Sequence, residues 1–344
     1  MRCAIVGSGL AALASYATLR HAGVPADEIA VFGTHADPTS VWRERASSIR
    51  QRRMRSESDG HLAAAGFPGL AVREGTASAV ARSLTNRYHP TVDLFLEHAA
   101  GVRERSGWDA SFVERRVAHV RAVDGGFLID GEGQFAHVLI ATGHPGLVHV
   151  PGAVHAYEPH DYAPQVAVIG AGMAAATEWR NARAAGSEVV SIRRREPVRR
   201  PLNVPRRYFS KRGLAGFHRL PPPARLAVLH ELEQPSYPPG PEWDVDLTVA
   251  DAPPPGFQVI AATGFRKGWR EDAVLADLVA THDLATHDRL LDLAPDSTVP
   301  TLTDDRRTLS IAGVAARWAF PAADTIAGAK YAARAFTRRV CRTR

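Results

Sequence analysis

Short apolar runs, all but one closed by glycine, punctuate the chain: CAIVG at 3–7, IAVFG at 29–33, VLIATG at 138–143, VAVIG at 166–170, EVVSI at 188–192 and VIAATG at 259–264. Runs of this length bounded by turn residues predict buried strands. Between the first pair lies the alanine-rich segment LAALASYATLRH, and between VAVIG and EVVSI lies MAAATEWRNARA. Both segments predict helices, so each pair reads strand, turn, helix, strand. Elsewhere FVERRVAHVRAV, GFLID and HVLIATG alternate apolar and polar residues in part, which predicts a β-meander. The proline-rich stretch from Arg206 to Asp246 breaks the pattern and holds one helical segment, RLAVLHELEQ. An irregular connection of that length predicts a purpose, either shaping a substrate pocket or forming a homodimer contact.

The two turns carry the same spacing. Gly7, Gly9 and Ala12 form GxGxxA in the first unit, and Gly170, Gly172 and Ala175 repeat it in the second. The first glycine permits a tight turn, the second lets a pyrophosphate approach the backbone, and the small third residue lets helix and strand pack closely. Exposed amides at the helix start then favour an anion. One such turn competes with a plain glycine turn that binds nothing, but two in matching contexts favour two nucleotide sites. Each unit is followed by an apolar strand ending in Ala-Thr-Gly, at Thr142-Gly143 and at Thr263-Gly264.

The residue after the second strand of such a unit faces the adenosine ribose, where an acid accepts from the 2′-hydroxyl and arginine accommodates a 2′-phosphate. In the second unit these residues are Arg193, Arg194 and Arg195, which predicts NADPH. Guanidinium suits phosphate because its fork donates two parallel hydrogen bonds. The later arginines, Arg199 through Arg212, carry no such positional argument and read as a solvated or substrate-facing loop. Tyr208 and Phe209 are the only aromatics interleaved with them, too few for a nucleic-acid surface.

Composition narrows the picture without overturning it. The chain has 344 residues, 45% of them hydrophobic, enough for two domains. The net charge of +6 comes almost wholly from arginine, with lysine only at 211, 267 and 330, a bias that weakens any inference from basicity to nucleic acid. Cys3 and Cys341 form no CxxC, which removes a redox dithiol and a metal knuckle. No window reaches the twenty or so apolar residues of a membrane span, and the amino terminus does not read as a signal peptide, so a cytoplasmic protein without a membrane partner is expected.

Taken together, the first glycine turn, Trp42-Arg43, ATGHPGLVHVPG, the second glycine turn, the second ATG and the carboxy-terminal LSIAGVAARWAFPAADTIAGAKYAARAF resemble the flavoproteins with two dinucleotide-binding domains. That superfamily includes thioredoxin reductase-like enzymes and the flavin-containing, Baeyer-Villiger and N-hydroxylating monooxygenases. The resemblance covers most of the chain and implies an α/β fold of two Rossmann-like domains, the second inserted into the first, with β-meanders. It implies an FAD domain at 1–152 and 290–344 and an NADPH domain at 153–289, with the Pro/Arg-rich excursion at about 196–246. FAD contacts are expected from Gly7, Gly9, Ala12, Trp42, Arg43, Thr142, Gly143, Gly313, Pro321 and Ala322. NADPH contacts are expected from Gly170, Gly172, Ala175, Arg193, Arg194, Arg195, Thr263 and Gly264. Pro321 is expected to open a helix through Asp324 and Gly328 that points at the flavin, where its amino terminus stabilises negative charge.

The pattern departs from such relatives at two places. Gly33, followed by Thr34 and His35, stands where an acid is usual, leaving Asp37 as a substitute if its loop folds back; Val314 stands where an aspartate often follows Gly313. Thr39-Ser40 also replaces a glycine pair before Trp42, and no complete FxGxxxHxxxW fingerprint is present. Trp318 and Phe320 are read either as flavin or substrate neighbours or as core. The lone His61 in the segment 40–62 is assigned no role. The expected function is an NADPH-using, FAD-dependent oxidoreductase, monooxygenase-like, acting on a small molecule. The alternatives are an NADPH:acceptor reductase and a non-catalytic NADP(H) sensor with a degenerate flavin site.

Overall fold

The computed structural model describes residues 2–55, 69–85, 87–200, 204–243 and 245–342. In chain order the first part contains β1 (Cys3–Val6), α1 (Leu10–His21), β2 (Ile29–Gly33), α2 (Ser40–Ser48), α3 (Leu70–Glu74), α4 (Ala77–Leu84) and α5 (Val92–Ser106). It continues through β3 (Phe112–Glu114), β4 (Val120–Val123), β5 (Gly126–Ile129), β6 (Glu132–Phe135) and β7 (His137–Ile140). The middle part contains β8 (Val154–His155), β9 (Gln165–Ile169), α6 (Met173–Ala184), β10 (Glu188–Ile192), β11 (Val198–Arg199), α7 (Lys211–His218), α8 (Pro222–Leu232), β12 (Ser236–Tyr237), β13 (Thr248–Ala250) and β14 (Gln258–Ala261). The chain ends with α9 (Ala273–His282), β15 (Thr286–His287), β16 (Leu290–Leu291), β17 (Thr308–Ile311) and α10 (Ile326–Arg342).

Two parallel five-stranded sheets organise these elements, in the orders β17-β7-β1-β2-β3 and β13-β10-β9-β14-β8. All residues of β1, β2, β7 and β17 are buried. That burial accounts for the apolar runs of β1, β2 and β7, since a parallel sheet is covered on both faces. Alternation along β1 divides its side chains between two cores. Cys3 and Ile5 face α1, α5 and α10 with Leu13, Phe95 and Phe336, whereas Ala4 and Val6 join Phe127, Ile129 and Trp318 on the other side. β17 joins the sheet beside β7 although some 170 residues separate them, so the carboxy-terminal segment returns to the first unit.

The meander is smaller than the alternation predicts. β4, β5 and β6 pair antiparallel, but β3 and β7, from FVE and HVLI, are parallel strands of the main sheet. β7 is fully buried, which short-range alternation does not distinguish from a half-exposed meander strand.

The proline-rich excursion is ordered by contacts across the molecule. Its base is closed by the parallel pair β11–β12, and Tyr237 packs edge-on against Trp179 of α6. RLAVLHELEQ forms most of α8, as its pattern predicts. The excursion leaves from the second sheet but buries Tyr208, Phe217, Leu229 and Leu232 in the core that also holds Trp318 and Phe320. It therefore braces the two units against each other.

Candidate functional site

The two glycine turns have nearly the same geometry. Gly9 caps α1 with φ −88° and ψ −167°, and Gly172 caps α6 with φ −89° and ψ −168°. Neither helix start has a side-chain cap or an acidic residue in its first turn, so both present amide groups and positive helix-dipole ends. A Cβ added to Gly9 or Gly172 would meet nothing within 4 Å, so the space over both residues is open. The first glycines are different. A Cβ on Gly7 would lie 2.2 Å from the Ala141 carbonyl oxygen, and one on Gly170 2.6 Å from that of Ala262. These turns are glycine for the fold at their first position, and are free to meet a ligand at their second. Ala12 and Ala175 are wholly buried, which brings each helix close to its sheet.

Strand register aligns the ribose-facing positions of the two units. Val6 pairs with Phe32 and Ile169 with Ile192, so Gly33 and Arg193 are equivalent. Arg193 is mostly buried and pairs with exposed Glu196 at 3.0 Å, while its Nε is buried without a hydrogen-bond partner. Arg194 and Arg195 are exposed. Arg199 and Arg200 serve the excursion instead. The first lies over the Tyr237 ring, and the second donates to the Gln234 carbonyl at 3.1 Å.

The two Ala-Thr-Gly segments meet. They run antiparallel, with Leu147 bridged to Phe265, the Val148 amide donating to Gly264 O at 3.0 Å and the Arg266 amide to Gly146 O at 2.9 Å. Thr263 Oγ1 donates to Val148 O at 2.5 Å. The residue after each motif joins one stack. The His144 ring lies on Phe265 with 4.1 Å between centroids, Tyr157 stacks on Phe265 at 5.1 Å, and Arg45 covers it. Burial pushes His144 down to about 4, so it is neutral near pH 7, and its Nδ1 is buried without a partner. Sequence reasoning stopped at the glycines and missed this stack, although an aromatic residue after each ATG was visible.

Beside the ribbon opens a cleft lined by Gly143, Pro145, Val314, Glu233, Lys267 and Arg317, among others. Gly143 and Gly313 have φ of +79° and +72° and approach each other closely at its edge. Glu233, at the end of α8, accepts from Arg317 at 2.5 Å and Arg289 at 2.9 Å and lies 3.4 Å from Lys267. Desolvation raises its pKa, but the three cations outweigh that and hold the carboxylate below its usual range. The excursion thus forms one wall of the cleft. Glu233 itself gave no sequence signal, because its partners lie far away in the chain.

Other expected contact residues do not line this cleft. Trp42 packs edge-on against Phe95, and Arg43 pairs with Asp37 and donates to Thr39 Oγ1 at 2.9 Å. Asp37 also accepts from the Thr39 amide and hydroxyl, so it closes the turn before α2. The helix expected to open at Pro321 begins at Ile326. Pro321 and Ala322 lie in the preceding turn, and Thr325 Oγ1 accepts from the Gly328 amide at 3.1 Å, which fixes the start. Trp318 is buried, stacked on His287 at 4.0 Å, and Phe320 stacks on Tyr331 at 4.5 Å, so both are core residues. His61 lies outside the described residues. No described helix is long and apolar enough to cross a membrane.

No protein-family model matches the chain, and no curated protein matches it in sequence. Solved structures do match over nearly their full length. An ornithine N-hydroxylase of Kutzneria sp. 744, solved with reduced FAD, NADP⁺ and L-ornithine, superposes with a TM-score of 0.73 at 14% identity, covering 99% of this chain and 98% of that one. An ornithine hydroxylase of Pseudomonas aeruginosa gives 0.69 at 12% identity, covering 98% and 99%. A bacillithiol disulfide reductase of Bacillus cereus gives 0.57 at 14% identity, covering 98% of each. With its two parallel sheets and paired glycine turns, the chain has the α/β fold of the flavoproteins with two dinucleotide-binding domains.

Proposed function

We propose that this chain is an FAD-dependent, NADPH-using oxidoreductase of the monooxygenase type that acts on a small molecule. In this reading residues 1–152 and 290–344 hold FAD, and residues 153–289 hold NADPH. The observation that carries it is the pair of superimposable open turns, distinguished at the ribose position by Gly33 in one and Arg193 in the other, whose connecting segments converge on a single cleft. FAD, when bound, takes up hydride from NADPH and passes electrons onward.

The amides at the start of α1 receive the FAD pyrophosphate, and Gly143, Gly313 and Val314 meet the flavin half. The amides at the start of α6 receive the NADPH pyrophosphate, and Arg193 binds the 2′-phosphate, exchanging Glu196 for it. α8 closes the cleft from water through Leu229, while Lys267 and Arg317, tied to Glu233, set its polarity. A thiol relay is disfavoured, since Cys3 is buried in β1 and neither cysteine lines the cleft.

The test is an oxygen balance on FAD-loaded protein with NADPH and a panel of small amines, thioethers and ketones. Coupling of NADPH oxidation to an oxygenated product supports the reading. Stoichiometric hydrogen peroxide with every compound, together with fast reduction of an artificial acceptor, replaces it with the acceptor reductase. NADPH binding without any turnover replaces both with a sensor.

A further inference from the structure

Gly33 stands where an acid ordinarily receives the ribose of a bound dinucleotide, and the structure gives a reason for the glycine. A Cβ on Gly33 would lie 2.2 Å from Ser8 Oγ and 2.3 Å from Ser8 Cβ. The volume where an acidic side chain would begin is already filled by the middle residue of the first glycine turn. The second unit shows the opposite arrangement. There the middle residue is Ala171, without a hydroxyl, and the equivalent of Gly33 is Arg193, with a full side chain. In the first unit Ser8 and Gly33 therefore act as a pair.

Ser8 is nearly buried, and its oxygen accepts a long hydrogen bond of 3.4 Å from the His35 amide. Its own hydrogen has no acceptor among the described residues. The hydroxyl lies between the open turn at Gly9 and the end of β2, flanked by the exposed Thr34 and His35.

We propose that Ser8 supplies the adenosine-ribose contact of the first unit in place of the missing carboxylate, donating its hydroxyl hydrogen to the ribose 2′-hydroxyl, with Gly33 as the vacancy that lets it stand there. This rests on the reading that the first unit holds the adenosine half of FAD. It makes ribose recognition in this unit neutral. The departure at Gly33 then marks an exchange of one ribose partner for another and not a decayed site.

The test titrates apo-protein with FAD and with an FAD analogue carrying 2′-deoxyadenosine, read by quenching of flavin fluorescence. The intact protein prefers FAD by about fivefold, the worth of one neutral hydrogen bond. Ser8→Ala binds both flavins alike, at the level of the intact protein with the deoxy analogue, and its unchanged NADPH affinity reports an intact second unit. Gly33→Glu alone binds FAD poorly because its side chain overlaps Ser8, and Ser8→Gly combined with Gly33→Glu recovers both binding and preference. An unchanged preference in Ser8→Ala, or no preference in the intact protein, overturns the assignment of Ser8. Failure of the intact protein to bind either flavin, with NADPH still bound, overturns instead the reading on which it rests.

Discussion

The four turn glycines make separable demands, and substituting alanine at each one isolates them. Alanine at Gly7 must adopt φ of +113° and place its Cβ 2.2 Å from the Ala141 carbonyl oxygen; at Gly170 the corresponding values are +138° and 2.6 Å. Holding a non-glycine residue in such a region costs about 1–3 kcal/mol, and forcing apart packed backbone costs about 1–3 kcal/mol more. The expected loss at Gly7 is therefore about 2–6 kcal/mol, a large share of the roughly 5–15 kcal/mol that stabilises a typical domain. Gly9 and Gly172 already have ordinary φ values and open space, so alanine there costs about 1 kcal/mol at most, through a poorer helix cap. Its effect falls on the ligand. A methyl group between the backbone and the pyrophosphate weakens binding at least tenfold, about 1.4 kcal/mol. Urea denaturation of nucleotide-free protein, FAD titration and NADPH titration together give a crossed result. Gly7→Ala and Gly170→Ala are destabilised, Gly9→Ala loses FAD affinity alone, and Gly172→Ala loses NADPH affinity alone. Gly9→Ala with unchanged FAD affinity, or with equal loss of both nucleotides, refutes the assignment of the first turn.

Further expectations concern charge. Arg193→Ala combined with Arg194→Ala weakens NADPH binding at least tenfold and NADH binding little, measured by fluorescence titration; equal loss for both removes the 2′-phosphate contact. Burial pushes His137 down from 6.5 to about 4. The folded protein then holds this ring neutral while the unfolded chain protonates it, so its contribution to stability is present above pH 6.5 and is lost as the pH falls to about 4. The full loss is on the order of 3 kcal/mol. His137→Gln flattens this part of the pH dependence of urea unfolding, and an unchanged slope contradicts it.

Much of the fold was legible because its demands are local. Two glycine turns, six apolar runs and two alanine-rich segments placed β1, α1, β2, β7, β9, α6, β10 and β14, since a close backbone approach and a doubly buried strand each leave a compositional mark. The start of α10 was misread because Pro321 suits a first helical position, whereas the hydroxyl that caps the helix belongs to Thr325. The cleft was legible only in part. Gly143 was marked by the strand ending in Ala-Thr-Gly and Gly313 by the family resemblance, but Glu233 meets Arg289, Arg317 and Lys267 through tertiary packing of α8, which no spacing encodes. Gly33 read only as a departure from the usual acid because sequence cannot show that Ser8 fills the space beside it.

The most direct measurement is the visible absorbance spectrum of the protein supplied with FAD and freed of excess by gel filtration, recorded before and after anaerobic NADPH. The account predicts a bound flavin band that NADPH bleaches much faster than NADH does. A colourless protein that still binds NADPH contradicts it.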